Sequence, residues 1–247
     1  MDTGHSIRVV FFDAADTLFH VKGSVAEVYL RHATEFGFAE TPESLPAIKQ
    51  AFGRAFRDAP PPIFAATEPA QIKHSERLWW FDIVHNVFYR VGMFDRFDDF
   101  FDRVFHVFEE PGAWQLFPET VQTLTAFKTQ GVELGIISNF DSRLFRVMRG
   151  LGIADMFDTV TISSMAQAAK PAPKIFQLAL EKHAVDPEEA LHVGDSFRDD
   201  VQGARSAGLH AVLLDRGGTQ QRTDLRSIRT LDELLPLIDQ LDQSGQG

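Results

Sequence analysis

Five short apolar runs, each ending at turn or polar residues, constrain the fold of this chain more than any other feature. They are rich in β-branched and aromatic residues, which is typical of strands buried on both faces. From Val132 onward they alternate with helical patterns, which predicts an α/β fold with a mostly parallel sheet between layers of helices. The predicted strands are Ile7–Phe12, Val132–Ile137, Thr159–Ile162, Ala190–Val193 and Ala211–Leu214. The helices predicted in this half are Ser142–Leu151, Pro173–His183, Val201–Ala207 and Leu231–Leu241.

Residues 21–111 show a different pattern, with apolar residues at helical spacing and no convincing strand. They predict an all-helical cap, 21–111, inserted into a discontinuous core made of residues 1–20 and 112–247. Much of the phenylalanine content falls in this insertion, and we interpret it as packing of the helical unit and its seam with the core. An alternative is that some of these rings wall a substrate pocket. The predicted helices are Val25–Phe36, Pro46–Phe56, Gln71–Val91 and Phe97–Phe108, with a Pro-rich loop at 59–69.

The charge balance disfavours two classes of partner. Lys and Arg number 24 against 35 Asp and Glu, a net charge of −11, which repels nucleic-acid phosphates and anionic lipids. We therefore expect neither a nucleic acid nor a membrane as partner, and nothing in the sequence indicates the oligomeric state. Zero cysteines exclude disulfides, thiolate metal sites and Cys nucleophiles. The first apolar stretch is too short for a signal sequence or a membrane span, so we expect a cytoplasmic protein.

Polar residues follow the first two strands of the predicted sheet. Asp13 comes directly after the first, and Ser138 and Asn139 follow the second. Ligands bind at the carboxyl ends of parallel strands, so Asp13 is a candidate nucleophile or metal ligand, although a carboxylate there is often an ordinary cap. Ser138 and Asn139 offer a hydroxyl and amides to an anion at the start of the next helix, although serine also caps helices.

Charged residues follow the third and fourth strands. Lys170 precedes Pro171 in a loop, where a single lysine is usually solvated. Asp195 follows a glycine turn, and Asp199 and Asp200 lie on the next helical turn. Carboxylates placed so close together need a cation, or one another's protons, to coexist.

All of these residues lie at carboxyl ends of strands in one sheet, and together they describe a phosphoryl-transfer pocket. In this interpretation Asp13 attacks phosphorus and becomes an aspartyl-phosphate, while Ser138 and Lys170 hold the nonbridging oxygens. Asp195 and Asp200 hold Mg²⁺ against the accumulated negative charge. The expected partner is a small phosphorylated substrate.

Four segments resemble, in order and spacing, the four motifs of the haloacid dehalogenase superfamily. They are DAADTL at 13–18, ISN at 137–139, KP at 170–171 and GDSFRDD at 194–200. The helical insertion is similar to the cap of subfamily I, and the resemblance covers nearly the whole chain. It implies a Rossmann-like core with an inserted helical cap of the C1 type, hydrolysis of a phosphoric monoester, and Mg²⁺ as cofactor.

One position departs from the family pattern. Family phosphatases carry a second Asp two residues after the nucleophile, which protonates the leaving alcohol and then activates water, and this chain has Ala15 there. The family uses the backbone carbonyl of that position for the metal, so the resemblance still implies Asp13, Ala15, Asp195 and Asp200 as the Mg²⁺ ligands. Asp16 is the catalytic candidate to replace the missing carboxylate, although successive side chains point in different directions. Loss of a general acid–base typically costs about 10²–10⁴ in rate.

Three hypotheses about function stay open at this point. The first is a Mg²⁺-dependent phosphatase that acts on a small phosphorylated metabolite. The second, motivated by Ala15 and the aromatic-rich cap, is a catalytically weakened protein that binds phosphate ligands or partners. The third is cleavage of a carbon–halogen or carbon–phosphorus bond, because family dehalogenases also begin with Asp-Ala, and phosphonoacetaldehyde hydrolases have Ala at this position and add a cap lysine. The acidic residues at 195 and 200 favour the first over metal-free dehalogenation, and the cap offers Lys22, Lys49 and Lys73 for the third.

Overall fold

The computed structural model describes residues 7–219 and 225–238. The strands are β1 (Val9–Phe12), β2 (Phe19–Val21), β3 (Trp114–Leu116), β4 (Glu133–Ser138), β5 (Thr159–Ile162), β6 (Ala190–Gly194), β7 (His210–Leu214) and β8 (Ser227–Ile228). The helices are α1 (Val25–Glu35), α2 (Ser44–Asp58), α3 (Pro69–Val91), α4 (Phe97–Val107), α5 (Thr120–Thr129), α6 (Leu144–Gly150), α7 (Ser163–Ala166), α8 (Pro173–His183) and α9 (Gly203–Ser206).

Six strands form one sheet in the order β5-β4-β1-β6-β7-β8, and every pair in it is parallel. β1 lies in the middle, with Phe12 opposite Ile136 of β4 on one side and Val193 of β6 on the other. The predicted parallel α/β sheet is therefore confirmed. Because β1, β4 and β6 are neighbours, the residues that follow them meet at one edge of the sheet.

Both faces of the sheet are covered, which explains why β1 is apolar at every position. Val10 and Phe12 pack into a hydrophobic cluster that also includes the cap, whereas Val9 and Phe11 pack into a second cluster with α8 and α9. All four side chains are fully buried. Successive side chains of a strand point to opposite faces, so one apolar run serves two cores.

The helical cap lies between β2 and β3 along the chain. These two strands pair antiparallel as a short ribbon, with Val21 opposite Trp114, and α1 to α4 lie between them. No strand of the described residues between β2 and β3 joins the six-stranded sheet. The fold class with an inserted helical cap is thus confirmed, while the exact division at 20/21 and 111/112 stays a prediction.

Aromatic rings build the interior of the cap. Tyr29 on α1 packs edge-on against Phe100 of α4 and tilts against Phe88 of α3, with ring centroids 6.2 and 6.4 Å apart. Phe88 and Phe100 in turn lie 4.8 Å apart. Edge-to-face contacts of this kind add to the hydrophobic gain of burying large rings. They account for much of the phenylalanine content of the insertion, as the sequence indicates.

Several element boundaries differ from the sequence-based expectation. The helix predicted at 201–207 starts earlier, as a π-helical turn at Phe197–Gln202, because the Ser196 side chain caps it by accepting from the Asp199 N–H at 3.1 Å. The helix predicted at 231–241 opens with a 3-10 turn, Leu231–Glu233, and is helical to residue 238. The remainder of that helix and the polar tail at 243–247 lie outside the described residues. β2, β3 and β8 were not predicted, because runs of two or three residues carry no periodic signal.

One structural finding bears on the membrane. Among the helices of residues 7–219 and 225–238, we find none whose length and hydropathy would let it cross a bilayer. The cytoplasmic location expected from the sequence stays a prediction.

Candidate active site

Asp13 lies at the centre of the site because it is the first residue after the central strand β1. Its backbone N–H donates to the carbonyl oxygen of Val193 at 2.9 Å, which continues the pairing of β1 with β6 by one residue. The residue is 8% exposed and lines a cavity between the sheet edge and the cap. The fold therefore presents one buried carboxylate at the floor of that cavity.

Lys170 reaches this carboxylate from the loop before α8. Its Nζ donates to Asp13 Oδ1 at 2.6 Å and to Asp200 Oδ1 at 2.5 Å, and the side chain is buried. Burial opposes the charge of the ammonium, but the carboxylates of Asp13 and Asp200 more than offset it and raise the pKa of Lys170. Lys170 is therefore not solvated in its loop, which was one of its two sequence interpretations, while its role in catalysis and phosphate binding stays a prediction.

Asp195 and Asp200 complete an acidic group with Asp13. One carboxylate oxygen from each of the three lies within 4.8 Å of the others. Burial and then the carboxylates of Asp13 and Asp200 raise the pKa of Asp195 to about 8. Burial also opposes ionisation of Asp200, but the Lys170 ammonium outweighs it and holds the pKa of Asp200 well below its usual range. Lys170 is thus a single positive charge beside three carboxyl groups, so the site can accept a further cation.

Asp200 is held in place by its neighbours on β6 and the turn that follows. The Ser196 N–H donates to Asp200 Oδ2 at 2.9 Å, and the fully buried His192 ring has its Nε2 2.8 Å from Asp200 Oδ1. A Cβ on Gly194 would fall 2.1 Å from the Asp200 Cγ, so only glycine permits this approach. His192 was not singled out from the sequence, because a histidine inside an apolar strand usually indicates packing.

Ser138 and Asn139 follow β4 on the other side of Asp13. Ser138 is buried and faces the cavity. The Asn139 side chain donates from Nδ2 to the Lys170 carbonyl oxygen at 2.9 Å and accepts from the Lys170 N–H at 2.8 Å. Its amide therefore ties the β4 loop to the lysine loop, and its predicted role in phosphate binding stays a prediction.

Ala15 and Asp16 occupy the turn that follows Asp13. Both line the cavity. Asp16 has a positive φ of 61°, a left-handed conformation that aspartate tolerates better than most residues, and its N–H donates to the Phe19 carbonyl oxygen at 2.7 Å. Much of the residue faces solvent, yet desolvation at the cavity wall and the nearby Asp13 carboxylate raise the pKa of Asp16. The structure thus brings a second carboxyl group to the cavity from a position that differs from the family's.

The half of the cavity opposite Asp13 is aromatic. The whole cavity has a volume of about 490 Å³. Its cap-side lining is Val25, Tyr29, Phe52, Phe56, Trp80, Val84, Phe101, Val104, Phe105 and Phe108, joined by Trp114 and Phe140 from the core side. The alternative offered by the sequence, that some cap rings wall a pocket, is thus what the structure has, beside the packing role.

A buried ion pair supports this aromatic half. Arg143 donates from Nε to Asp141 Oδ1 at 2.9 Å and from Nη2 to Asp141 Oδ2 at 2.6 Å, while Trp80 Nε1 donates to Asp141 Oδ2 at 2.6 Å. Arg143 Nη1 also donates to the Phe105 carbonyl oxygen at 3.2 Å. Neither Asp141 nor Arg143 is among the site residues predicted from the sequence. Asp141 lies two residues past the second motif, and only the fold shows that it faces the cap.

A second contact joins the cap to the same loop. Glu76 of α3 accepts from the Ser142 N–H at 2.9 Å and from the Ser142 hydroxyl at 2.5 Å, and it is 2% exposed. Burial raises the pKa of Glu76. By contrast, the three cap lysines considered from the sequence are exposed and none lines the cavity. They are Lys22, Lys49 and Lys73.

Comparison with known proteins agrees with this architecture. A family model described as haloacid dehalogenase-like hydrolase matches residues 7–208. The human haloacid dehalogenase-like hydrolase domain-containing protein 3 is 32% identical over 98% of this chain and 97% of its own length.

Solved structures agree as well. A HAD phosphatase from Thermococcus onnurineus is 25% identical with a TM-score of 0.66 and covers 94% of this chain and 98% of its own. A 2-haloacid dehalogenase from Pseudomonas syringae pv. Tomato DC3000 is also 25% identical, with a TM-score of 0.62 and coverage of 95% and 99%. Similarity alone does not distinguish a phosphatase from a dehalogenase, so the choice between these two reactions depends on the site.

Proposed function

Because the chain belongs to the haloacid dehalogenase-like hydrolase family, we propose that it is a Mg²⁺-dependent phosphatase. It hydrolyses a small phosphorylated metabolite through an aspartyl-phosphate on Asp13. The observation that carries this proposal is the buried group in which Lys170 donates to both Asp13 and Asp200, with the Asp195 carboxylate within 4.8 Å. A site with this charge pattern suits a dianionic phosphoryl group together with a divalent cation.

The residues present fit Mg²⁺. Mg²⁺ prefers carboxylate and carbonyl oxygens, and Asp13, Asp195 and Asp200 supply three carboxylates within reach of one another. Burial, and after it the neighbouring carboxylates of Asp13 and Asp200, raise the pKa of Asp195, and a bound cation would offset both. We assign the ion to these carboxylates and the Ala15 carbonyl oxygen. When bound, it neutralises charge on the phosphoryl oxygens.

The roles of the other residues follow from their places around Asp13. A carboxylate oxygen of Asp13 attacks phosphorus, while Lys170 and Ser138, with Asn139 beside them, hold the nonbridging oxygens. Lys170 also orients the Asp13 carboxylate through the hydrogen bond from its Nζ. The cap covers the cavity and limits access of bulk water.

Proton transfer is the weak part of this machinery. Ala15 has no ionisable side chain, so the transfer is left to Asp16. Its raised pKa suits a group that holds and releases a proton, but Asp16 is an exposed residue in a left-handed turn at the cavity edge. We therefore expect slow turnover of esters whose leaving group needs a proton.

The test compares wild type with Asp13→Asn on p-nitrophenyl phosphate, with Mg²⁺ and with a chelator. We expect Mg²⁺-dependent phosphate release, a phosphorylated protein by intact mass spectrometry, and loss of both in Asp13→Asn, with a rate at least about 10⁴-fold lower. Asp155→Asn, an exposed aspartate on the core, is the matched control. Chloride release from a 2-haloacid without Mg²⁺ would instead establish a dehalogenase.

The second candidate function is a phosphate-ligand binder with weak or no turnover, which Ala15 favours. It predicts that phosphate binds in the presence of Mg²⁺ while no ester in a broad panel is hydrolysed and no phosphorylated Asp13 accumulates. Phosphonoacetaldehyde cleavage is disfavoured because a Schiff-base lysine would have to come from the cap, and no described cap lysine lines the cavity.

A further inference from the structure

The part of the cavity opposite Asp13 is lined by aromatic side chains and suits a ring-shaped ligand. Six aromatic side chains form what we term the aromatic wall: Phe52, Trp80, Phe105, Phe108, Trp114 and Phe140. A cavity of about 490 Å³ is within the range of small-molecule sites and larger than a phosphoryl group needs. The leaving group of the substrate must fill the remaining space.

Both indole N–H groups of the aromatic wall already donate hydrogen bonds to other groups of the protein. Trp80 Nε1 donates to Asp141 Oδ2 at 2.6 Å, and Trp114 Nε1 donates to the Phe108 carbonyl oxygen at 3.1 Å. Neither is free for a substrate hydroxyl. A sugar or polyol inserted here would bury hydroxyl groups without partners, and each such group lowers affinity by about tenfold or more.

Arg143, the cation in the aromatic half of the cavity, is already paired with other groups of the protein. Among the described residues that line the cavity, Arg143 and Lys170 are the only cations. Both Nε and Nη2 of Arg143 donate to Asp141, and the guanidinium lies over the rings of Phe105 at 4.2 Å and Trp80 at 5.2 Å. Arg143 therefore holds the aromatic wall together, and its charge is already balanced by a buried carboxylate. A leaving group with a second anionic group finds no free cation here.

One polar group on the cap side remains available. Tyr29 is 2% exposed and lines the cavity, and its hydroxyl makes no hydrogen bond to another residue in the described part of the chain. Its ring is fixed edge-on by Phe52 at 5.9 Å and by Phe108 at 5.8 Å. The hydroxyl is not among the fully buried polar atoms that lack a partner, so it is open to the cavity, where a polar group of a ligand can bond it.

Ala15 gives an independent indication of the same leaving group. An alkoxide leaves only with a proton, and this chain lacks the acid at the position where the family carries it. A phenoxide is a far weaker base and leaves with little protonation. The missing acid and the aromatic wall therefore select the same chemical class.

We propose that this phosphatase acts on phosphate monoesters of uncharged ring alcohols, with phenols as preferred leaving groups, and that the Tyr29 hydroxyl bonds one polar substituent of the ring. This substrate class rests on the proposed phosphatase function. In the first step an Asp13 oxygen forms a bond to phosphorus while the bond from phosphorus to the phenolic oxygen breaks, and the electron pair leaves with the phenoxide, which takes a proton from water.

In the second step a water oxygen forms a bond to phosphorus, and the bond from phosphorus to the Asp13 oxygen breaks. The electron pair returns to the Asp13 carboxylate, and the proton of the attacking water passes to solvent or Asp16. The sum is one ester and one water converted to one phenol and one inorganic phosphate.

The first experiment measures kcat/KM with Mg²⁺ for phenyl phosphate, cyclohexyl phosphate, phosphoserine and glucose 6-phosphate. We expect phenyl phosphate to exceed cyclohexyl phosphate, because the ring fit is similar but the leaving group differs, and both to exceed the polar esters by about 10²-fold or more. Turnover of the polar esters at an equal or higher kcat/KM would overturn the substrate class while leaving the phosphatase function intact.

The second experiment tests Tyr29 with Tyr29→Phe on phenyl phosphate and 4-hydroxyphenyl phosphate. We expect KM for the hydroxylated ester to rise about tenfold more than KM for phenyl phosphate. Tyr89→Phe, on a cap tyrosine that is 73% exposed, is the matched control. An equal change for both esters would show that Tyr29 serves packing alone.

A binding measurement separates failure of this inference from failure of the proposed reaction. Calorimetry with Mg²⁺ compares phenylphosphonate with methylphosphonate, and we expect phenylphosphonate to bind at least about tenfold tighter. Ring selectivity without turnover of any ester would contradict the phosphatase function but keep the ring site. Equal affinities would contradict the ring site whatever the turnover.

Discussion

The two halves of the cavity are built by different means. The charged half collects Asp13, Lys170, Asp195 and Asp200 from three separate loops at one edge of a parallel sheet, where strand pairing fixes their positions. The aromatic half comes mainly from cap helices, and side-chain packing rather than backbone pairing fixes its rings. In the proposed reaction, the charged half would determine which bond breaks, and the aromatic half would determine which ester enters.

The two halves also differ in how they tolerate change. A buried charge without its partner is costly, so a single substitution in the charged half disturbs all of its members. A ring in a cluster of rings can be replaced by another apolar side chain at moderate cost. We therefore expect single substitutions in the charged half to impair the reaction strongly, and substitutions in the aromatic half to change substrate preference. The following substitutions test the charged half and its surroundings.

The largest effect is expected from Ala15→Asp, which adds the absent proton-transfer group to the charged half. We expect kcat for an alkyl phosphate to rise by about 10²–10⁴ if the new carboxylate reaches the leaving oxygen, and kcat for p-nitrophenyl phosphate to change little. Steric conflict with Asp16 would reduce the gain. Steady-state rates for both esters measure it.

A different set of rates would show that Ala15 does not limit proton transfer. Equal alkyl and aryl turnover in the natural protein, no gain in Ala15→Asp and collapse of activity in Asp16→Asn would show that Asp16 already performs the transfer. The two halves of the cavity would then no longer select the same leaving group.

The next effect concerns Lys170→Met, which removes the cation between Asp13 and Asp200. We expect the free energy of unfolding to fall by about 3–5 kcal/mol because two buried carboxylates lose their partner, and kcat to fall by about 10²–10³. Mg²⁺ should recover part of the stability. Urea denaturation with and without Mg²⁺ measures this loss. Lys174→Met is the control, because Lys174 is exposed in the first turn of α8.

The charged half was largely predictable from sequence because most of its residues end or directly follow apolar strands, while Lys170 follows β5 after the short helix α7. Asp13, Ser138, Lys170 and Asp195 needed only the order of the strands and the rule that parallel strands end at a common edge. The left-handed φ of Asp16 could not be predicted, since aspartate signals a cap or turn without fixing its conformation.

The aromatic half was not predictable to the same degree. The phenylalanines of the cap have the spacing of a helical core, and whether one of them faces the core or the cavity depends on how α1 to α4 pack. The contact of Trp80 with Asp141 joins residues 61 positions apart through side chains alone. No local pattern carries that information, which is why Arg143, Tyr29 and Glu76 emerged only from the fold.

A smaller effect is expected from Gly194→Ala, which tests how closely the charged half is packed. The added Cβ would collide with the Asp200 carboxylate, so we expect Mg²⁺ affinity to fall about 10–100-fold. Gly53→Ala is the matched control, because nothing lies within 4 Å of a Cβ at this helical glycine. Calorimetry should find the control unchanged in Mg²⁺ affinity and slightly more stable. Unchanged affinity in Gly194→Ala would show that Asp200 is not needed for the ion.

The smallest effect is a pH dependence where the cap meets the core, at the contact of Glu76 with Ser142, because burial raises the pKa of Glu76 above the ordinary value of 4.5. A carboxyl group whose pKa is higher in the folded state binds its proton more tightly there, so its contribution to stability falls as the pH rises from 4.5 through the raised pKa. Glu76→Gln cannot titrate and retains an acceptor for the Ser142 N–H. Wild type should therefore lose stability relative to Glu76→Gln between pH 4.5 and neutral pH. Urea midpoints across that range measure the difference, and Glu40→Gln, at an exposed glutamate, is the control. If the wild type instead became more stable than Glu76→Gln as the pH rises, the contacts of Glu76 with Ser142 would outweigh the effect of burial.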